Sequence, residues 1–155
     1  MAFTMKSEAF KEGDTIPREY SCDGSDLSPS LGWTDPPAGT GSFALTVEDP
    51  DAPVGTFTHW VIYDIPADMK GLASGISTAA SLEKGMKQGI NDFGRNGYGG
   101  PCPPRGHGRH RYYFTLRALD VKTLNLLPRS SKSDVEKAMK GRVIGTARLM
   151  GVYKR

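Results

Sequence analysis

Long apolar runs, cysteine, histidine and the common catalytic signatures are all scarce in this chain. No segment approaches the ~20 consecutive apolar residues that cross a bilayer, so no stable membrane insertion is expected. The first residues, Met1 to Glu8, lack a charged stretch leading into an apolar one, the form of a secretory signal. A cytoplasmic location is therefore expected. There are 2 cysteines, Cys22 and Cys102, and 3 histidines. The cysteines form no Cys-x-x-Cys pair. Two reduced thiols and one bridge both stay open, because geometry rather than sequence separation decides bonding. No Gly-x-Ser-x-Gly elbow, His-Glu-x-x-His helix or Walker loop is present, and these absences argue against an enzyme. The net charge of +3 is too mild for a nucleic-acid footprint. Arg105, Arg109 and Arg111 read as a solvated face that can draw anions inward.

What is present fits one domain, residues 1–155. A chain of this length buries roughly 68–70% of its unfolded surface and needs neither metal nor disulfide to make a core. Its 19 glycines and 11 prolines point to many turns between short strands. The stretch through Pro37 is rich in turn signals, among them Ile16-Pro17, Cys22-Asp23-Gly24 and Asp35-Pro36-Pro37. Strands are predicted at 42–48, 59–65, 110–119 and 142–153 from their β-branched and aromatic residues. One helix is predicted at 133–140, with Ser133 and Glu136 forming a capping box and Gly141 closing it. Residues 70–100 read as irregular, with short elements.

Side chains two apart share one face of a strand. His110 is then expected beside Tyr112, Phe114, Leu116 and Ala118, and His59 beside Val61, Tyr63 and Ile65. Each histidine opens a strand on its core-facing side, so the two are expected to meet at a pocket mouth at one end of a sandwich. Two loops carry the chemistry. In the first, Asp49-Pro50-Asp51-Ala52-Pro53, prolines stiffen the chain and aim the carboxylates near His59. In the second, Gly100-Pro101-Cys102-Pro103-Pro104 leads into His110-Arg111-Tyr112, where glycines admit close backbone approach to an oxyanion. His107 is spaced unlike His110 and is expected at the surface.

These segments resemble the two signature regions of the phosphatidylethanolamine-binding protein family. Asn91-Asp92-Phe93-Gly94 and Ala118-Leu119-Asp120 further resemble its bacterial and archaeal, Raf-kinase-inhibitor-like branch. The resemblance implies a mainly β fold, an antiparallel β-sandwich with one or two short helices and a small anion pocket at one end. It implies Asp49, His59, Gly100, Pro101, Pro104, His110 and Tyr112 as the ligand-binding set, with Gly100 and Pro101 giving backbone framing and Asp51 holding its loop. The ligand would be phosphate or a phosphorylated head group, without metal or other cofactor. The chain stops at Arg155, just after a predicted strand, so the C-terminal helix of animal relatives is expected to be missing and the pocket more open. Partners by the same resemblance are a protease or a kinase, and a second copy in a homodimer. The leading expectation is a small-anion-binding module that regulates a partner protein. The alternatives are a protease or kinase inhibitor acting through surface loops and, further off, a metal-dependent phosphoester hydrolase.

Overall fold

The β-branched and aromatic runs form the long strands, and the turn-rich segments hide the short ones. A computed structural model describes residues 2–155. Its strands are β1 (Thr4–Lys6), β2 (Leu31–Thr34), β3 (Ser42–Asp49), β4 (Phe57–Pro66), β5 (Gly71–Leu72), β6 (Lys87–Gln88), β7 (His110–Leu119) and β8 (Val143–Tyr153). One helix, α1 (Lys132–Met139), lies between β7 and β8. Five strands make one sheet in the order β6-β4-β3-β7-β8, and β1-β2-β5 make the other. Every strand pairing is antiparallel. The fold class is the expected one, mainly β with two antiparallel sheets and a single helix.

The main core takes Phe43, Leu45 and Val47 from β3, Trp60 and Ile62 from β4, and Tyr112, Phe114 and Leu116 from β7. These pack with Met5, Leu31, Trp33 and Leu72 of the small sheet. A second cluster joins Ala44, Val61, Tyr63 and Leu119 to Val135 and Met139 of α1. The middle strands are thus buried on both faces, which is why β3 and β4 read as nearly unbroken apolar runs. Burial at about 25 cal/mol per Å² makes these two clusters the main source of stability.

Three sequence expectations shift. Strand β4 starts at Phe57, and Val47 pairs with Trp60 while Glu48 pairs with Thr58. His59 is therefore the extra residue of a β-bulge, a device that re-aims a side chain. The bulge separates His59 from Val61 and Tyr63, which lie under the helix, and sets its ring against Tyr112, centroids 5.2 Å apart. Helix α1 begins at Lys132, because Ser131 and not Ser133 is its N-cap: the Ser131 side chain accepts the Asp134 N–H. Gly141, with φ 78°, does close the helix. Of the two cysteine states left open, the structure adopts the bridge, Cys22 to Cys102 across a Cα separation of 5.4 Å.

That bridge belongs to a knot that fixes one end of the sandwich. Tyr153 donates its hydroxyl to Asp23 at 2.6 Å, and Ser21 donates to Tyr153 at 2.9 Å. Arg155 reaches Asp23 at 3.1 Å, and its carbonyl accepts the Gly106 N–H at 3.2 Å. The end of β8, the Cys22 turn and the loop before β7 are thereby tied together. No helix among the described residues is long and apolar enough to cross a membrane.

Candidate functional site

Three strands of the large sheet bring polar side chains to the same end. Asp49 is the last residue of β3, His59 lies near the start of β4, and His110 and Tyr112 open β7. All four are buried, each no more than 3% exposed. They line a cavity of about 270 Å³ walled by Phe57 and Phe93, by Pro53 and Val54, and by Pro103 and Pro104. Phe57 and Phe93 meet edge to face, 4.8 Å between centroids, and both pack on the His59 ring.

The hydrogen bonds assign most of the donors and acceptors. Asp49 accepts the Asp51 N–H on Oδ1 at 2.7 Å and His110 Nδ1 on Oδ2 at 2.6 Å. His110 Nε2 lies 2.6 Å from Nδ1 of His107. Both nitrogens of His110 are therefore engaged, and an Asp49–His110–His107 chain runs from the cavity to the surface. His59 Nδ1 lies 2.7 Å from the Gly99 carbonyl. A carbonyl only accepts, so Nδ1 carries hydrogen and Nε2 of the neutral ring is a lone pair. Tyr112 Oη is buried and has no hydrogen-bond partner.

Burial, the largest influence, lowers the pKa of His59, against the opposing pull of the Gly99 carbonyl and the Asp49 charge. Burial also raises the Tyr112 phenol well above its usual range, with Asp49 adding to the effect, so it stays protonated. No lysine or arginine lines the cavity. Asp51 turns outward and grips Arg111 with two side-chain hydrogen bonds of 2.9 and 2.8 Å. That grip holds its carboxyl down at about 2.

Of the expected ligand-binding set, Asp49, His59, Pro104, His110 and Tyr112 come together around the cavity. Gly100 and Pro101 do not. The Gly100 N–H is taken by Asp26 at 2.7 Å, and the Pro101 carbonyl accepts the Cys22 N–H at 3.1 Å. They stand behind the wall, where a Cβ on Gly100 would collide with the Tyr20 carbonyl and the Ser21 backbone. Sequence reasoning missed two features. His107 was expected to be incidental, yet a turn closed by its N–H to the Pro104 carbonyl folds it back onto His110. The flanking Gly106 and Gly108, with φ of 77° and 92°, were the available signal. The aromatic wall of Phe57 and Phe93 left no comparable signature.

The sequence profile of the family described as phosphatidylethanolamine-binding protein matches residues 6–154. The chain belongs to the phosphatidylethanolamine-binding protein family. Among its relatives, the UPF0098 protein of Aquifex aeolicus (strain VF5) is 55% identical over 149 residues, covering 96% of this chain and 86% of that one. The crystal structure of Escherichia coli YbcL, described as a new member of the mammalian PEBP family, superposes with a TM-score of 0.93. It is 36% identical, with 100% of this chain and 99% of YbcL covered. A carboxypeptidase Y inhibitor, solved in complex with its cognate proteinase, superposes with a TM-score of 0.54 at 19% identity, covering 99% of this chain and 82% of that one. That likeness concerns the fold alone.

Proposed function

We propose that the pocket binds a small oxyanion, phosphate or a phosphorylated head group such as phosphorylethanolamine, and that the protein is a binding module rather than an enzyme. The Tyr112 hydroxyl carries this reading, being buried, unpartnered and at the cavity wall. An unanswered buried polar group costs about 1–3 kcal/mol, and a ligand oxygen accepting from it recovers that cost. Family membership supports the reading. So does the lining, which offers no serine, threonine or free cysteine as a nucleophile, while the one phenol is held protonated. Small size caps the affinity in the micromolar to millimolar range, roughly −8 to −4 kcal/mol. Cytoplasmic placement stays within the proposal; bridges persist chiefly in oxidising compartments, and the Cys22–Cys102 pair is the feature that argues against it.

A second reading has the protein inhibit a protease or a kinase through its loops. Val54, 91% exposed at the pocket rim, is the feature it would use. Titration of the histidine resonances with phosphorylethanolamine and inorganic phosphate tests the first reading. Saturable shifts at millimolar ligand are expected at His59 and His110. A protein whose histidine signals ignore both ligands would lose the anion assignment, and inhibition of a protease panel would then favour the second reading.

A further inference from the structure

The hydrogen bonds around the cavity constrain the chemistry of its ligand more tightly than size does. This step rests on the oxyanion reading. A fully ionised oxyanion offers only acceptors, and it needs donors. The cavity provides one free donor, the Tyr112 hydroxyl. Opposite it stand two acceptors. One is the Asp49 carboxylate; the other is Nε2 of His59, left as a lone pair because Nδ1 gives its hydrogen to Gly99. His110 cannot supply a second donor, since Nδ1 faces Asp49 and Nε2 faces His107. No lysine or arginine reaches the lining. A bare dianion would meet one hydrogen bond and two repulsions.

One proton on the line between His59 Nε2 and a ligand oxygen removes one repulsion and makes a charge-assisted hydrogen bond. We infer that the pocket selects oxyanions that carry or can take up a proton, phosphomonoesters and carboxylates, and rejects sulfate and organic sulfates. The proton comes from the ligand's own P–OH or from solvent. It ends shared between the ligand oxygen and His59 Nε2, and no bond to phosphorus forms or breaks. Phosphomonoesters have a second pKa near ~6 and supply this proton readily. Sulfates are conjugate bases of strong acids and stay fully ionised.

The charged and titratable groups facing His59 agree with this balance. Asp49 and Tyr112 lie across the cavity from it, on β3 and β7. Asp26 lies behind the Gly99-Gly100 turn, and His110, backed by His107, is tied to Asp49. Asp49 and Asp26 both favour a charged His59 ring; burial opposes it in the empty pocket. An arriving anion adds the missing stabilisation of the imidazolium.

Calorimetric titration with inorganic phosphate and with sulfate, in two buffers of different ionisation enthalpy, tests the inference. Phosphate should bind with uptake of about one proton above pH ~7, its affinity falling about tenfold per pH unit. Sulfate should bind about 10- to 100-fold more weakly than phosphate near pH 6, as expected when acceptors face acceptors. In His59→Gln the amide can donate, so proton uptake should vanish and sulfate should gain on phosphate. His107→Ala should keep the uptake. Loss of uptake in His107→Ala alone would assign the proton to the His110–His107 pair and overturn the inference. Equal binding of both anions without proton uptake would overturn it and leave the oxyanion pocket standing. If neither anion binds at millimolar concentration, the inference and the pocket reading fall together. The wild-type proton count decides the matter even if His59→Gln fails to fold.

Discussion

Two buried aspartates sit near opposite ends of the paired strands β3 and β4, and only one of them marks a site. Asp64 is 6% exposed and Asp49 is 3% exposed, so burial does not separate them. Their surroundings do. Asp64 accepts from Lys87 Nζ at 2.5 Å, from the Thr123 hydroxyl at 2.9 Å and from the Leu124 N–H at 2.9 Å. Its charge is neutralised and both oxygens are answered by groups of the same fold. Asp49 is also bonded on both oxygens, but its surroundings are not closed. It borders a cavity in which the Tyr112 hydroxyl has no partner and His59 Nε2 makes no hydrogen bond. A saturated polar cluster is a structural joint, and one with an unanswered member is a receptor. This follows from the asymmetry between a modest net gain per hydrogen bond and a larger cost for a buried group left without one.

The largest expected effect comes from cutting the closed cluster. Asp64→Ala leaves Lys87 without its counter-charge and strips partners from Thr123 and Leu124. It should cost about 2–4 kcal/mol, read by urea unfolding. Phosphate affinity of the folded fraction should stay at the wild-type value, because Asp64 lies at the far end of β3 and β4 from the cavity. A variant that unfolds no more easily than wild type would show that hydration replaces this cluster at little cost. The comparison would then lose its structural half.

Much of this contrast was legible in the sequence, and what was hidden has physical causes. The long strands β3, β7 and β8 were visible because β-branched and aromatic residues recur over eight or more positions. The small sheet was not, because β1, β2 and β5 have only three, four and two residues, too few for alternation to show. Residues Asp49, His59, His110 and Tyr112 could be named because rigid loops and strand starts carry them. The bulge at His59 could not, since it depends on how β4 registers against β3. The bridging role of His107 was likewise hidden, because it depends on a turn bringing together rings three residues apart. The Asp64 cluster left no motif, as its partners lie 23, 59 and 60 residues away along the chain.

The open end should respond to substitution with the opposite sign. Tyr112→Phe removes a buried hydroxyl that makes no hydrogen bond, so stability should hold or rise by up to about 1 kcal/mol. Phosphate affinity should drop about tenfold at the same time, the loss of one good donor. Urea unfolding and phosphate titration on the same sample give both numbers. If the substitution destabilises the protein by as much as Asp64→Ala, Tyr112 is answered within the fold and the distinction between the two ends disappears.

The smallest effect is a pH slope, and its sign tests the same distinction. Burial lowers the pKa of His59 in the folded protein below its ordinary 6.5. The folded state therefore binds fewer protons than the unfolded chain in this range, and stability rises with pH. The contribution is complete above about pH 6.5 and is lost as pH falls through the folded value. Asp51, held at about 2 by Arg111, acts in a separate window: its contribution is present above the ordinary carboxylate range near ~4 and is lost only on the way down to about 2. Between pH ~7 and ~5 the thermal midpoint of the free protein should thus decline gently, and His59→Gln should flatten that decline. Saturating phosphate should also flatten it, because a ligand that shares a proton with His59 Nε2 turns the cost of charging the ring into binding. A midpoint that climbs as the free protein is acidified would mean that the empty pocket already holds a charged His59. Nε2 would then be a donor, sulfate would be as welcome as phosphate, and the cavity end would be as fully answered as the Asp64 end.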